Sequence, residues 1–183
     1  MKALFSTIIV SMFFFVNAFA QTTGPVSHNV SVTVPSVSMI SVVGTDGNTN
    51  VSLVLDDINA AGEWFSNVTS DEVIYLRLSS VKPGGARIVK VSGEVPAGLI
   101  LKVSAGDNTG GGKGKTGLPQ ANVTITDAGA SLITEIGSGY TGIVSNGGFP
   151  LTYNLSASDT QAGVEALAAG STTIEVFYTI TEE

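Results

Sequence analysis

Apolar residues in this chain recur at every second position, and that period limits the fold more than any other feature of the sequence. Val30-Ser31-Val32-Thr33-Val34 sets three valines at alternate positions, and near the other end Ile174, Val176, Tyr178 and Ile180 alternate with Glu175, Phe177 and Thr179. A strand sends successive side chains to opposite faces, whereas a helix would need apolar residues three and four apart. Val37–Val43, Val51–Leu55, Val73–Ser79, Ile88–Val91, Leu99–Val103, Val123–Ile125, Leu132-Ile133, Ile143-Val144 and Leu151–Leu155 read as further strands. Within Val73–Ser79 the pattern puts Val73, Tyr75 and Arg77 on one face and Ile74, Leu76 and Leu78 on the other. Turn formers separate the runs, among them Asp46-Gly47-Asn48, Pro83-Gly84-Gly85 and Pro96-Ala97-Gly98. Ala105–Gln120 is glycine-rich and reads as a long surface loop, and Gln161–Ala169, closed by Gly170, is the one predicted helix. About eight to ten short strands punctuated in this way predict an all-β, two-sheet antiparallel sandwich, with a closed barrel as the alternative.

The first twenty residues follow different rules. Met1-Lys2 is followed by the apolar run Ala3–Phe15, broken only by Ser6, Thr7 and Ser11, and Ala18-Phe19-Ala20 fits a small-x-small cleavage site. This is the pattern of a secretory signal peptide over residues 1–20, too short and too poorly flanked for a permanent span. Cleavage leaves one domain, 21–183, with no internal linker and no transmembrane span, placed outside the cell or on its surface. No cysteine stands at the cleavage site, so the lipid-attached form is excluded.

Charge and cysteine narrow the function classes. Lys and Arg number 8 against 15 Asp and Glu, a net charge of −7 that becomes −8 once Lys2 is removed. An acidic chain without a basic cluster repels phosphate backbones, which excludes nucleic acid as a partner. With no cysteine there is neither a disulfide framework nor a thiolate metal site, so apolar burial and strand pairing must hold the fold.

Several motifs approach a chemical site and stop short. Gly112-Lys113-Gly114-Lys115-Thr116 ends like a phosphate-binding loop, but Thr109 stands where the first glycine belongs, and Gly117-Leu118-Pro119 breaks the helix that would receive the phosphate. Asp46-Gly47-Asn48-Thr49-Asn50 alternates oxygen ligands as calcium loops do, without the central glycine and distal glutamate in register, so a plain turn is the better reading. His28 is the only histidine, and Gly137-Ser138-Gly139 is too short for a nucleophile elbow. The doublets Asp56-Asp57, Asp71-Glu72 and Glu182-Glu183 point to opposite faces if they lie in strands. Asn-x-Ser/Thr sequons stand at Asn29, Asn50, Asn67, Asn122 and Asn154. No catalytic, cofactor or metal site is assembled from these residues, and the expectation is a protein that is not an enzyme. Trp64, beside Gly62-Glu63, is the best single candidate for contact with a surface glycan or another subunit.

Both ends of the mature chain are amphipathic strands, which either pair within one sandwich or link subunits. In the second case Val30, Val32 and Val34 would complete the sheet of a neighbour that presents the Ile174, Val176, Tyr178 and Ile180 strand, giving a homo-polymer by strand exchange. Burying three valines offers roughly 5–9 kcal/mol before ordering costs. Pro35 is suited to a hinge, so 21–35 is the candidate exchangeable segment. The leader, Gln21, Tyr75-Leu76-Arg77-Leu78-Ser79-Ser80, Val95-Pro96-Ala97-Gly98-Leu99, Tyr140-Thr141-Gly142, Leu151-Thr152-Tyr153 and Thr173–Ile180 resemble small secreted proteins of Bacteroidota without assigned activity. The closing strand also resembles that of fimbrial and spore-coat-U-like subunits. The resemblance implies an immunoglobulin-like sandwich with a structural or adhesive role. The expected function is therefore an extracellular subunit assembling by β-strand donation into a fimbria-like filament or matrix. A monomeric secreted module binding carbohydrate or another surface ligand is the alternative, and a hydrolase comes third.

Overall fold

A computed structural model describes residue 25 and residues 27–56 and 58–183. The leader expected over 1–20 and the first residues of the candidate exchangeable segment lie outside the described residues. The chain divides into two units, Met1–Thr33 and Val34–Glu183. The described residues of the first unit are exposed and form no strand.

The second unit is an all-β sandwich. Its strands are β1 (Val37–Gly44), β2 (Val68–Thr69), β3 (Ile74–Val81), β4 (Arg87–Gly93), β5 (Leu99–Ala105) and β6 (Lys113–Gly114). They continue as β7 (Leu118–Pro119), β8 (Val123–Thr124), β9 (Ala130–Ile136), β10 (Gly139–Tyr140), β11 (Phe149–Ala157) and β12 (Val176–Glu182), with one helix, α1 (Gln161–Ala166), before the last. One sheet follows the order β6-β10-β3-β11-β5-β8, with β1 also on β3 and β2 also on β11; the other runs β12-β4-β9-β7. Every pairing is antiparallel. The long strands thus form two antiparallel layers, β1, β3, β11 and β5 on one side and β12, β4 and β9 on the other.

Alternation explains the core. β3 buries Ile74, Leu76, Leu78 and Ser80; β5 buries Leu101, Val103 and Ala105; β11 buries Phe149, Leu151, Tyr153 and Leu155. Facing them, β4 contributes Val89 and Val91, and β9 contributes Leu132, Ile133 and Ile136. Leu132 and Ile133 are adjacent yet both buried, because the β4–β9 register shifts on either side of Val89 and re-aims one side chain. Each such residue contributes about 1.5–3 kcal/mol on burial, enough in aggregate to replace the missing disulfides.

Four sequence expectations need correction. Val30–Val34 forms no strand among the described residues. Val51–Leu55 has the expected faces but no ladder: Val51, Leu53 and Leu55 are half-buried against the core, Ser52 and Val54 are exposed, and no sheet includes them. Ile143-Val144 is a loop rather than a strand. Gly147 N–H donates to the Val144 carbonyl at 3.0 Å, Asn146 takes a left-handed φ of 57°, and Arg77 donates to the carbonyls of Val144 and Gly147 at 2.6 and 2.8 Å. The Ser145-Asn146-Gly147-Gly148 run favours this turn over extension. The helix stops at Ala166 instead of Ala169, since Leu167 is already extended; its start is capped by Thr160, whose hydroxyl accepts from Gly163 N–H at 3.2 Å.

The glycine-rich stretch read as a long surface loop also carries two short strands, β6 and β7. Gly112 N–H donates to the Thr141 carbonyl at 3.1 Å, and a Cβ on Gly112 would overlap the Tyr140 carbonyl. Here the absence of a side chain lets two backbones touch.

Candidate assembly surface

Three apolar rows bear on assembly, and each meets a different structural situation. The first is Val30, Val32 and Val34, exposed at 72%, 77% and 72% and without a strand partner among the described residues. An alternating valine row left in water forgoes both apolar burial and a backbone ladder.

Just after this row the chain is tied down. The Arg87 guanidinium, only 6% exposed although charged, donates from Nη1 to the Val37 carbonyl and to Ser80 Oγ (3.1 Å), and from Nη2 to Ser36 Oγ (3.2 Å). Its Nε donates to Glu182 Oε1 at 2.8 Å, while Lys82 Nζ donates to Glu182 Oε2 at 2.5 Å and to the Ala86 carbonyl at 2.8 Å. Ser36 Oγ in turn donates to the Val81 carbonyl at 3.1 Å. Lys82 first, and Arg87 after it, hold the Glu182 carboxyl below the usual carboxylate range. One buried cation thus joins β1 and β3 of the first sheet to β4 and β12 of the second. Sequence alternation places Arg87 on the inward face with Val89 and Val91, but the partners that make an inward arginine tolerable come from three distant segments.

The second row is Ile174, Val176, Tyr178 and Ile180. All four are half-buried and packed against the core, and β12 pairs with β4 from Val176 opposite Gly93 to Glu182 opposite Arg87. This row is therefore occupied within its own molecule, while the far backbone edge of β12 carries no neighbour among the described residues. Tyr178 reaches across the sandwich to Tyr153, with hydroxyl oxygens 2.5 Å apart. Burial, reinforced by the neighbouring phenol, pushes Tyr178 well above the ordinary tyrosine range, and burial raises Tyr153 as well, against a lowering by the Tyr178 hydrogen bond.

The third row, Val51, Leu53 and Leu55, has apolar cover without a ladder. Among the described residues its backbone makes one hydrogen bond, from Ser52 N–H to Glu72 Oε1 at 3.3 Å. Sequence pattern gave its faces and could not show that a neighbour strand is missing.

Elsewhere the surface offers less. Trp64 is 41% exposed in a loop and stacks edge-to-face with Phe65 at a centroid distance of 5.3 Å. His28 is exposed. An open depression of about 580 Å³ is lined by Glu94, Val95, Leu99, Leu101, Ile125 and Asp127, among others. Among the described residues no group of three or more His, Cys, Asp or Glu is placed to hold a metal ion, and no helix is long and apolar enough to cross a membrane. No protein-family model matches the chain, and a search of curated proteins finds no match.

Proposed function

We propose that this protein is an exported structural subunit that assembles with copies of itself by β-strand donation into a fimbria-like filament or matrix. The observation that carries this reading is the Val30, Val32, Val34 row: patterned for a sheet, exposed, and without a strand partner among the described residues. Roughly 5–9 kcal/mol of valine burial, plus about 0.5–1.5 kcal/mol for each main-chain bond, stands against an association cost of about 4–15 kcal/mol. That balance gives assembly that depends on concentration. Such a contact is head-to-tail and does not close on itself, so it extends.

The test is light scattering after size-exclusion chromatography, with negative-stain microscopy, on the full mature chain and on Val32→Asp. Wild-type protein forms polymers that grow with concentration; Val32→Asp stays monomeric with an unchanged unfolding midpoint, because the Val32 side chain is largely exposed. A wild-type chain that remains a monodisperse monomer throughout overturns the proposal. A second reading, a module for surface glycans, draws on the exposed Trp64 ring braced by Phe65. On a glycan array it requires retention that Trp64→Ala abolishes.

A further inference from the structure

We infer that the acceptor for the donated strand is the Val51–Leu55 segment of a second copy of this chain, and not the longer edges of β1 or β12; the inference rests on the donation reading above. Val51–Leu55 and the Val30–Val34 row have complementary deficits. The first lays an alternating apolar row on the core and lacks a ladder, and the second has the same five-residue alternation and lacks both.

The half-buried Val51, Leu53 and Leu55 bind no backbone partner among the described residues, although polar main-chain groups beside apolar surface are ordinarily paired. Ser52 N–H is directed to Glu72. In an extended chain the N–H groups of alternate residues share an edge, so those of Val51, Leu53 and Leu55 open on the side away from Glu72. A strand added there completes a ladder and carries its own alternate valines onto the same apolar surface. β1 and β12 each already have one paired edge, whereas Val51–Leu55 has none among the described residues.

Charge agrees. Residues 3–45 contain no Asp, Glu, Lys or Arg, so the donor segment carries no acidic side chain in a chain of net charge −7. It can approach an acidic neighbour, including Asp56 and Glu72 beside the acceptor, without carboxylates of its own to repel them.

The absence of native cysteine makes disulfide trapping clean. Full-length Thr33→Cys, whose side chain would face solvent when the valines face the core, is mixed under mild oxidation with a differently tagged Val54→Cys, an exposed acceptor position. Ser31→Cys in place of Thr33→Cys covers a two-residue change of register. Ser41→Cys on β1 and Thr179→Cys on β12 report the competing edges, and Ser131→Cys, exposed on β9, sets the collision rate. The expected result is a mixed dimer with Val54→Cys forming at least on the order of tenfold faster than with Ser131→Cys, from the raised local concentration. Faster trapping at Ser41→Cys or Thr179→Cys overturns the acceptor assignment and leaves donation standing. Polymers that form while every pair traps at the collision rate also overturn it. A monomeric wild type with every pair at that rate removes donation itself.

Discussion

Replacing Arg87 with alanine separates two explanations for the clamp at the root of the N-terminal segment. If the ion pair with Glu182 matters most, Arg87→Ala and Glu182→Gln should weaken the fold equally. If the buried acceptors matter most, only the first should. Glu182 is largely exposed, with 64% of its side-chain surface in solvent, so its charge returns to water when the partner is lost. Val37 is half-buried and Ser80 is fully buried, so their acceptors do not regain water easily. A buried acceptor left without a donor costs about 1–3 kcal/mol, so the two together predict a loss of roughly 2–6 kcal/mol for Arg87→Ala. For a chain of this size that lowers Tm by roughly 4–24 °C, at about 2–4 °C per kcal/mol. Urea unfolding followed by Trp64 fluorescence, with Tm from circular dichroism, measures both variants. Glu182→Gln should shift the midpoint only slightly. Equal losses in the two variants, or a loss under about 1 kcal/mol for Arg87→Ala, would refute the reasoning that unsatisfied buried acceptors dominate.

Three further outcomes follow from the same geometry. Tyr178 and Tyr153 have raised folded-state pKa values, so their contribution is intact below the ordinary tyrosine value of about 10 and is lost as pH rises above it; Tyr178→Phe should flatten the alkaline fall in stability measured by urea unfolding between about pH 8 and 11. Glu182 shifts the opposite way: its contribution is present above the ordinary carboxylate range and is lost as pH falls through its depressed folded value, so Glu182→Gln should reduce the acid sensitivity of Tm. Gly112→Ala forces a methyl group into the Tyr140 carbonyl and should cost at least the roughly 1–3 kcal/mol typical of overpacking, read as a lower unfolding midpoint, whereas Ile143→Ser at the exposed loop tip should leave it unchanged.

The strand faces were legible in the sequence because burial and alternation are the same information. Ile74, Leu76 and Leu78 point inward as their spacing demands, and the Ile174–Ile180 row lies against the core. Pairing partners were not legible. Val51–Leu55 and Val30–Val34 carry the same pattern as true strands, yet a pattern records which side chains seek cover and not whether another backbone lies alongside. Ile143-Val144 misled for a simpler reason: two β-branched residues imply extension locally, and the Asn146-Gly147 turn with its Arg77 braces outweighs them. Arg87 stood at an inward position by count, but Ser36, Ser80 and Glu182 converge on it only after both sheets have formed. The alternating rows could thus be named from sequence, while the contrast between a paired row and two without a ladder among the described residues required coordinates.

The Arg77-braced loop has a practical consequence for engineering. Its tip, from Ile143 to Asn146, stands in solvent, with Ile143 90% exposed, while the backbone beneath is gripped at Val144 and Gly147 from a strand in the middle of a sheet. A foreign epitope spliced between Val144 and Asn146 would inherit that mount and be displayed in one orientation, far along the chain from the segments proposed to join subunits. In a repeating array each copy would carry the guest at the same spacing, which is the arrangement a multivalent display scaffold requires.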